Sequence, residues 1–368
     1  MAFTQWTNSL GEKITRLVGP MSGALDDIVI GRAERIRLLT GLCHERPLVR
    51  ELRRGPRSCL SRCLAISRHG DPLYSSPTNC HQGANMQDKF AVACLQNCAG
   101  PDMTQNVESA LDLGRNAHRD GADLLCFPEF FTCLDMDDSG LTVGACLESE
   151  HPALACLRAF SRELGVWMLL GSLAIRAASG KLRNRSFLLD STGEIVARYD
   201  KIHLFDVDLP NGEVYRESDI FEPGAQAVVA PTPWGLMGLS VCYDLRFAGL
   251  YRALAQAGAL FLTVPAAFTK TTGEAHWHAL LRARAIETGS YVIAPCQFGT
   301  HGASVSYGHS LVVDPWGEVV ADAGDGPGYV LATVQPSHVT KVRSMIPALR
   351  HDRPFSDPTA IAISRASA

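Results

Sequence analysis

Long hydrophobic runs are missing from this sequence, and their absence argues against a membrane-spanning protein. No stretch approaches the roughly 18 consecutive apolar residues that a helix needs to cross a bilayer. The first residues, MAFTQWTNSLGEKITRL, contain neither the basic segment nor the apolar segment of a secretory leader. Low-complexity segments and repeats of fixed period are also absent, which argues against a disordered protein and a solenoid. We therefore expect a globular protein of the cytoplasm.

The cysteine patterns that hold zinc or a disulfide framework are absent as well, although the chain has 12 cysteines. No C-x-x-C occurs, and two pairs, Cys59 with Cys63 and Cys94 with Cys98, lack the second pair of ligands that a structural zinc site requires. Most of the others, such as Cys126, lie in apolar runs, where free cysteine behaves as a small hydrophobic residue. The sequence predicts no metal and no disulfides.

Charge is divided unevenly along the 368 residues. Residues 1–85 hold 12 Lys and Arg against 7 Asp and Glu, whereas the rest of the chain holds 22 against 31. Such an acidic body lacks the clustered basic residues of a nucleic-acid surface, so neither nucleic acid nor a membrane is expected as a partner. Because residues 1–85 show no sustained period, we predict a basic N-terminal extension there, either disordered, a helical cap or a mis-assigned start. One folded domain is predicted over 86–356 and a tail over 357–368.

Strand-like and helical runs alternate from residue 86 onward. Strands are predicted for FAVACLQ (90–96), VWMLLGSL (166–173) and SYVIAPCQF (290–298), and helices for residues 152–164 and EAHWHALLRARAIETG (274–289). Turn signals at S-T-G and P-W-G predict two hairpins. Strands joined by both hairpins and helical crossovers imply a mixed sheet covered by helices, which is an α/β fold.

Cys242 ends the apolar run LMGLSVC just before a helical segment. A side chain at such a strand-to-helix turn lies near backbone N–H groups and the positive end of the helix dipole. These features favour a thiolate and can stabilise an oxyanion. The alternative is a buried structural cysteine, which is the commoner fate of this residue type.

Two charged residues also stand at predicted strand ends. Glu129 follows the apolar run DLLCFP, where a charge is unusual; otherwise it caps a helix or lies on the surface. Lys201 in RYDKIHLFD leads into apolar residues, and a lysine drawn towards a core usually has a carboxylate partner. The alternative is a lysine that extends its ammonium group to solvent.

Glu129, Lys201 and Cys242, in this order, lie within longer motifs that together resemble the nitrilase (carbon–nitrogen hydrolase) superfamily, and its Nit branch most closely. The motifs span roughly residues 88–355 and are FPEFF, YDKIHLFDVDLPNGEVYRES, SVCYDLRF, PAAFTKTTGEAHW with LLRARAIE, and YGHSLVVDPWGEVVA. The resemblance implies an α/β fold built as a four-layer α-β-β-α sandwich and a carbon–nitrogen hydrolase domain over 86–356. It also implies that the reaction needs no cofactor and that the chain forms a homodimer or larger homo-oligomer.

The resemblance assigns catalytic roles to four side chains. Cys242 would be the nucleophile and Glu129 the general base, which later activates water. Lys201 would stabilise the tetrahedral intermediate together with the backbone N–H of Tyr243. Glu217 in YRES would orient the base or the substrate. A thiol needs such a base or cation beside it to attack an amide, and the attack develops negative charge on oxygen.

Other positions match substrate-binding residues of the family. Arg246 in YDLRF would meet a substrate carboxylate with its planar pair of donors; the alternative is a structural ion pair with Asp244 or another acid. Phe268 and Thr272 in PAAFTKTTG match pocket-lining positions, and the alternative for both is plain packing at a strand end.

Histidines mark a departure from the family. His278 stands where many relatives carry glutamate, and the His276-x-His278 that results has no evident third metal ligand in the sequence. His301 and His309 flank the Gly- and Ser-rich run HGASVSYGHS, which we interpret as a loop near the mouth of the site.

The implied substrate is a small amide of a five-carbon α-keto diacid. The motifs favour deaminated glutathione, which releases cysteinylglycine, over α-ketoglutaramate, the substrate of an ω-amidase, or a nitrile. A catalytically idle Nit-like binding protein is the alternative from another class.

Overall fold

The computed structural model describes residues 88–137, 140–210 and 212–356. The predicted extension (1–85) and tail (357–368) lie outside these residues, so both stay predictions. Within the described residues no helix is both long and apolar enough to cross a membrane.

Eighteen strands form in the described part of the chain. In chain order they are β1 (Phe90–Gln96), β2 (Leu124–Cys126), β3 (Asp135–Asp137), β4 (Gly140–Thr142), β5 (Trp167–Arg176), β6 (Leu182–Leu189), β7 (Ile195–Asp200), β8 (Asp206–Asp208), β9 (Val214–Arg216), β10 (Val228–Thr232), β11 (Gly235–Leu239), β12 (Phe261–Thr263), β13 (Tyr291–Ala294), β14 (Phe298–His301), β15 (Ser304–Tyr307), β16 (Leu311–Val313), β17 (Val319–Asp322) and β18 (Gly328–Val334).

Six α-helices accompany these strands in the same part of the chain: α1 (Met103–Arg119), α2 (Pro152–Leu164), α3 (Glu217–Ile220), α4 (Ala248–Gln256), α5 (Lys270–Thr288) and α6 (Pro336–Met345). Local signals explain their ends. The carboxylate of Asp102 accepts hydrogen bonds from two N–H groups of the first turn of α1. Gly165 and Gly289 end α2 and α5 in the left-handed conformation.

Two six-stranded mixed sheets form the centre of the fold. Their strand orders are β18-β1-β2-β5-β6-β7 and β10-β11-β12-β13-β16-β17. In each sheet three neighbouring strands run parallel, β1-β2-β5 in the first and β11-β12-β13 in the second, and antiparallel strands flank them. The parallel strands therefore deliver their carboxyl ends to one edge of each sheet, where polar side chains can meet.

Successive side chains of β1 belong alternately to two hydrophobic cores, which shows how the layers pack. Val92 and Cys94 belong to the core shared with the second sheet, whereas Ala93 and Leu95 belong to a core shared with α1 and α2. Successive side chains of a strand point to opposite faces, so a strand buried on both faces separates two cores. On the second sheet, Tyr251 of α4 and Trp277 of α5 are fully buried against the strands. The four-layer α-β-β-α sandwich is thus confirmed.

Three short hairpins lie outside the two sheets: β3 with β4, β8 with β9, and β14 with β15. None of these three hairpins was predicted from the sequence. The run HGASVSYGHS is not simply a loop, because it contains β15, and His301 ends β14 with only 1% of its surface exposed. Gly and Ser have weak strand preferences, but pairing with β14 decides the conformation here. His309 does lie between strands, as expected.

Candidate active site

Cys242 begins a 3-10 turn, Cys242–Arg246, shortly after the end of β11. Its φ of 49° lies in the left-handed region, which is uncommon for a residue with a side chain and costs energy that the surrounding structure must supply. The backbone N–H donates a hydrogen bond to the carbonyl of Pro265 at 2.9 Å, which holds this turn against the neighbouring strand end. The side chain is only 8% exposed.

The strand-to-helix turn predicted a thiolate at Cys242, but its surroundings in the structure favour the protonated thiol. Burial raises its pKa well above the ordinary value, and the charge of Glu129 raises it further, while Lys201 acts in the opposite direction. A group that removes the proton during attack is therefore needed at this cysteine.

Asp244, two residues after the cysteine, is completely buried and fixes the turn. One carboxylate oxygen accepts from the backbone N–H of Val241 at 2.9 Å and the hydroxyl of Tyr199 at 2.6 Å. The other contacts both the backbone N–H and the Nδ1 of His203, at 3.0 and 2.7 Å. Because Tyr199 and His203 flank Lys201 in the chain, one carboxylate joins the cysteine turn to the lysine segment.

Glu129 follows β2 and is 3% exposed. Its Oε1 accepts from Lys201 Nζ at 3.0 Å and from Asn184 Nδ2 at 2.7 Å, and its Oε2 accepts from the backbone N–H of Ala267 at 2.9 Å. The side chain of Gln297 donates to the Glu129 carbonyl at 2.9 Å. A buried carboxylate with this many donors is held in one position, so it is neither a helix cap nor a surface residue.

The backbone before Glu129 passes directly over Gly171 of β5. A Cβ atom at Gly171 would lie 2.1 Å from the carbonyl oxygen of Phe127 and 2.0 Å from that of Pro128. Only glycine allows this close approach of two backbones. Gly171 thereby allows the segment that carries Glu129 to lie directly against β5.

Lys201 follows β7, is 2% exposed, and contacts two carboxylates. Its Nζ lies 3.0 Å from Glu129 and 2.8 Å from the nearer oxygen of Glu217. Burial by itself lowers the pKa of Lys201, but the two carboxylates outweigh it and raise the pKa well above the ordinary value. The lysine is therefore a fixed cation rather than a solvent-exposed side chain.

Glu217 begins α3 and is oriented by its own set of donors. Besides Lys201, the backbone N–H of Phe205 donates to its Oε2 at 2.7 Å, and Asn184 Nδ2 lies 3.2 Å from its Oε1. Asn184 of β6 thus bridges both glutamates, which the sequence analysis did not foresee. Its only signal is a polar side chain at an inward position of a strand.

The short hairpins supply part of the wall of the cavity at these residues. Its lining includes Glu129, Lys201, Glu217 and Cys242, together with Met136, Leu141, Val214, Tyr215, Ser304 and Ser306. The predicted residues Tyr243, Phe268 and Thr272 also line it. Most of this lining is apolar with a few convergent polar groups, which is typical of small-molecule sites.

Arg246 does not line the cavity directly. Its guanidinium lies over the rings of Tyr243 and Phe268, 5.8 and 5.5 Å from their centroids, and 3.4 Å from His276 Nδ1. It makes no ion pair with a carboxylate in the described part of the chain, and Asp244 is engaged elsewhere. The alternative of a structural ion pair is therefore not what the structure shows.

Comparisons with known proteins agree with this arrangement. The sequence profile of the carbon–nitrogen hydrolase family matches residues 91–344. A deaminated glutathione amidase of Synechocystis sp. is 39% identical over 267 residues, covering 71% of this chain and 97% of that protein. Another from Homo sapiens is 43% identical over 275 residues, covering 72% and 82%.

A solved structure shares the fold at lower identity. It is a mutant of the amidase from Nesterenkonia sp. AN1 that carries the acetamide moiety of fluoroacetamide covalently at its active-site cysteine. It is 26% identical, covers 72% of this chain and 94% of that chain, and has a TM-score of 0.59. The chain thus belongs to the carbon–nitrogen hydrolase family, the nitrilase superfamily that its motifs resemble, and it is an amidase.

Proposed function

We propose that this amidase hydrolyses deaminated glutathione through a thioester on Cys242. The observation that carries the proposal is the contact between Glu129 and Lys201, both buried, in the cavity that Cys242 also lines. A nucleophile, a base and a cation in one partly apolar cavity are the groups that acyl transfer requires. Relatives named deaminated glutathione amidase support the choice of substrate.

Acylation begins with the protonated thiol. Glu129 takes the proton as the Cys242 sulfur forms a bond to the amide carbon, and the carbonyl oxygen becomes an oxyanion. Lys201 Nζ and the backbone N–H of Tyr243 stabilise this oxyanion. As the intermediate collapses, the carbon–nitrogen bond breaks, and Glu129 passes its proton to the leaving amine, which departs as cysteinylglycine.

Deacylation uses the same groups. Glu129 takes a proton from water, whose oxygen attacks the thioester carbon, and the oxyanion forms in the same place. The carbon–sulfur bond then breaks, the proton returns to the Cys242 sulfur, and the second product is a carboxylic acid. Glu217 takes no proton in this scheme, because its carboxylate holds Lys201 Nζ in position.

We assign to Arg246 the binding of the substrate carboxylate that lies next to the keto group. Its guanidinium rests on the rings of two cavity-lining residues and has no protein carboxylate as partner in the described residues. A planar guanidinium can bind a carboxylate with two parallel hydrogen bonds. Loss of the arginine should weaken binding of substrates with this carboxylate by about 1.5–3 kcal/mol.

The deciding experiment compares kcat/KM for deaminated glutathione and α-ketoglutaramate, with Cys242→Ala as the blank. We expect a clear preference for deaminated glutathione and no turnover by the blank. A preference for α-ketoglutaramate or a nitrile would refute the substrate assignment. Failure of stoichiometric alkylation at Cys242 to stop turnover would refute the mechanism.

We also propose a homodimer in the cytoplasm. One groove is lined by Ile286, Trp316 and Ile346, and more than half of the surface of each residue is exposed, at 53, 56 and 55%. Clustered exposed apolar side chains often mark an interface between proteins. Sedimentation equilibrium of the purified chain tests this, and a monomer at all concentrations would contradict it.

A further inference from the structure

Two histidines and one aspartate converge at a place that the amidase chemistry does not use. They are His278 of α5, His309 between β15 and β16, and Asp322 at the end of β17. His278 Nε2 lies 3.2 Å from Asp322 Oδ2, and His309 Nδ1 lies 2.9 Å from Asp322 Oδ1. One nitrogen or oxygen from each residue lies within 4.8 Å of the other two.

The H-x-H pair has no evident third metal ligand near it in the sequence. The structure separates that pair, because His276 Nδ1 faces Arg246 while His278 faces Asp322. The two remaining ligands come from segments 31 and 44 residues further along the chain. Spacing along the sequence therefore could not reveal the cluster.

Its dimensions suit a small divalent transition-metal ion. Zinc binds imidazole nitrogen and carboxylate oxygen at about 2.0–2.2 Å in tetrahedral geometry, which places neighbouring ligand atoms roughly 3.3 Å apart. One oxygen, Asp322 Oδ2, lies 3.2 Å from both His278 Nε2 and His309 Nδ1, close to that value. With three protein ligands, the fourth tetrahedral position is left for water.

The scaffold already holds the three residues in place. Trp277, which precedes His278 and is fully buried, donates its indole N–H to the carbonyl of His309 at 2.8 Å. The backbone of His309 has a φ of 53° and donates to the carbonyl of Gly324 at 2.7 Å. Asp322 in turn accepts from the Gly324 N–H at 2.9 Å. A site that is fixed before binding loses little conformational entropy when the ion enters.

Close packing beside the cluster supports the same rigidity. A Cβ atom at Gly273 of α5 would lie 2.3 Å from the Tyr307 ring, so glycine is required where the helix crosses β15. Tyr307 stacks on His309, with ring centroids 4.5 Å apart and planes 25° from parallel. The helix and the histidine are thus joined through one aromatic ring.

Local charge favours a cation at this place. Asp322 makes no ion pair with lysine or arginine among the described residues; its side-chain partners there are the two imidazoles. The Asp322 carboxylate therefore has no permanently charged cation as an ion-pair partner among the described residues.

We propose that His278, His309 and Asp322 bind one divalent transition-metal ion of the zinc class. The ion would join α5 to the segments around β15 and β17 as a structural link. None of its ligands lines the cavity that contains Cys242, so it takes no part in the hydrolysis. Near its start, α5 carries Thr272, which does line that cavity, so the link would steady one wall of the site.

The test is a titration of the full chain with Co²⁺, followed by its visible absorption, and a thermal melt with and without Zn²⁺. Cobalt reports its ligands, because a thiolate adds an intense charge-transfer band that imidazole and carboxylate do not. This distinguishes the cluster from the 12 cysteines. His278→Gln and Asp322→Asn each remove one ligand, and His276→Gln is the matched control on the same helix.

We expect one equivalent of Co²⁺ to bind without a thiolate band, and Zn²⁺ to raise the melting temperature. His278→Gln and Asp322→Asn should each weaken binding by at least about tenfold, since even residues that only orient a ligand cost 10–100-fold. His276→Gln should bind as the wild type does. Absence of saturable binding, a thiolate band, or unchanged affinity in both ligand variants would show that the cluster is only a hydrogen-bonded group of side chains.

Discussion

Asp244 offers a sharp test of how the nucleophile and the lysine are held together. Asp244→Asn keeps the shape of the side chain but replaces one acceptor oxygen with an NH₂ group. In the wild type each oxygen accepts from a backbone N–H, of Val241 on one side and of His203 on the other. Neither orientation of the amide can satisfy both donors, so one buried N–H must face an NH₂ group.

The expected loss of stability follows from the hydrogen bonds that the Asp244 carboxylate accepts. A hydrogen bond to a charged group contributes about 1.5–3 kcal/mol, and an unsatisfied buried donor costs about 1–3 kcal/mol. We therefore expect the free energy of unfolding to fall by about 3 kcal/mol. The turn and the lysine segment would also separate slightly, and a displacement of about 1 Å can reduce turnover by about 100-fold. The loss should appear in kcat more than in KM.

Asp314→Asn is the matched control. This aspartate is also buried and also accepts two backbone N–H groups in a turn, those of Trp316 and Glu318, each at 2.9 Å. Both bonds go to the same oxygen, however, so an asparagine can keep them by orienting its carbonyl there. The expected loss is below about 1 kcal/mol, with turnover unchanged.

Urea unfolding followed by circular dichroism measures both variants, and steady-state kinetics are recorded where each is fully folded. Equal stability losses in the two variants would refute the argument from the two oxygens. Wild-type kcat in Asp244→Asn would refute the claim that this carboxylate positions the cysteine relative to the lysine.

Three further predictions concern other parts of the domain. Glu129→Gln removes a charge that raises the pKa of Cys242, so iodoacetamide should alkylate this cysteine at a lower pH than in the wild type. Amidase turnover should be lost in the same variant. An unchanged pH profile of alkylation would contradict the effect of Glu129 on the thiol pKa. Burial lowers the pKa of His151 from 6.5 to about 4, so below pH 6.5 the unfolded chain binds a proton that the folded chain does not. The free energy of unfolding should therefore fall by about 2 kcal/mol between pH 7 and pH 5. His151→Leu should remove that part of the pH dependence in urea midpoints, and an identical slope would refute it. Gly171→Ala should destabilise the fold by about 1–3 kcal/mol and lower kcat, and a wild-type melt and turnover would count against the close backbone approach.

Much of the fold was predictable because its signals are local. The strand Phe90–Gln96 and the helix Pro152–Leu164 coincide with the predicted ranges, since both have clear hydrophobic patterns with clear ends. Glu129 and Lys201 stood out because charges at the ends of apolar runs are unusual. Their proximity follows from the strand ends that carry them, whereas the functional roles of the site residues stay predictions.

Other parts of the site have little or no signal in the neighbouring sequence. Asn184 bonds to Glu129, 55 residues away in the chain, and its neighbours in β6 are arginines, so the sequence around it looks like an exposed strand. Asp244 was considered only as a partner for Arg246, whereas its actual partners come from the segment around Lys201. The short hairpins have few residues and little hydrophobic alternation, so tertiary contacts decide their conformation.

Because hairpins outside the central sheets supply part of the cavity wall, the substrate range of this enzyme can change separately from its catalytic residues. Glu129 and Cys242 stand at the ends of strands in the central sheets, but part of the wall belongs to hairpins outside those sheets. A substitution at Val214 or Ser304 can therefore reshape the space for an acyl or amine group without disturbing either sheet. Evolution can alter the range of accepted amides through these hairpins while the machinery that breaks the bond is inherited intact.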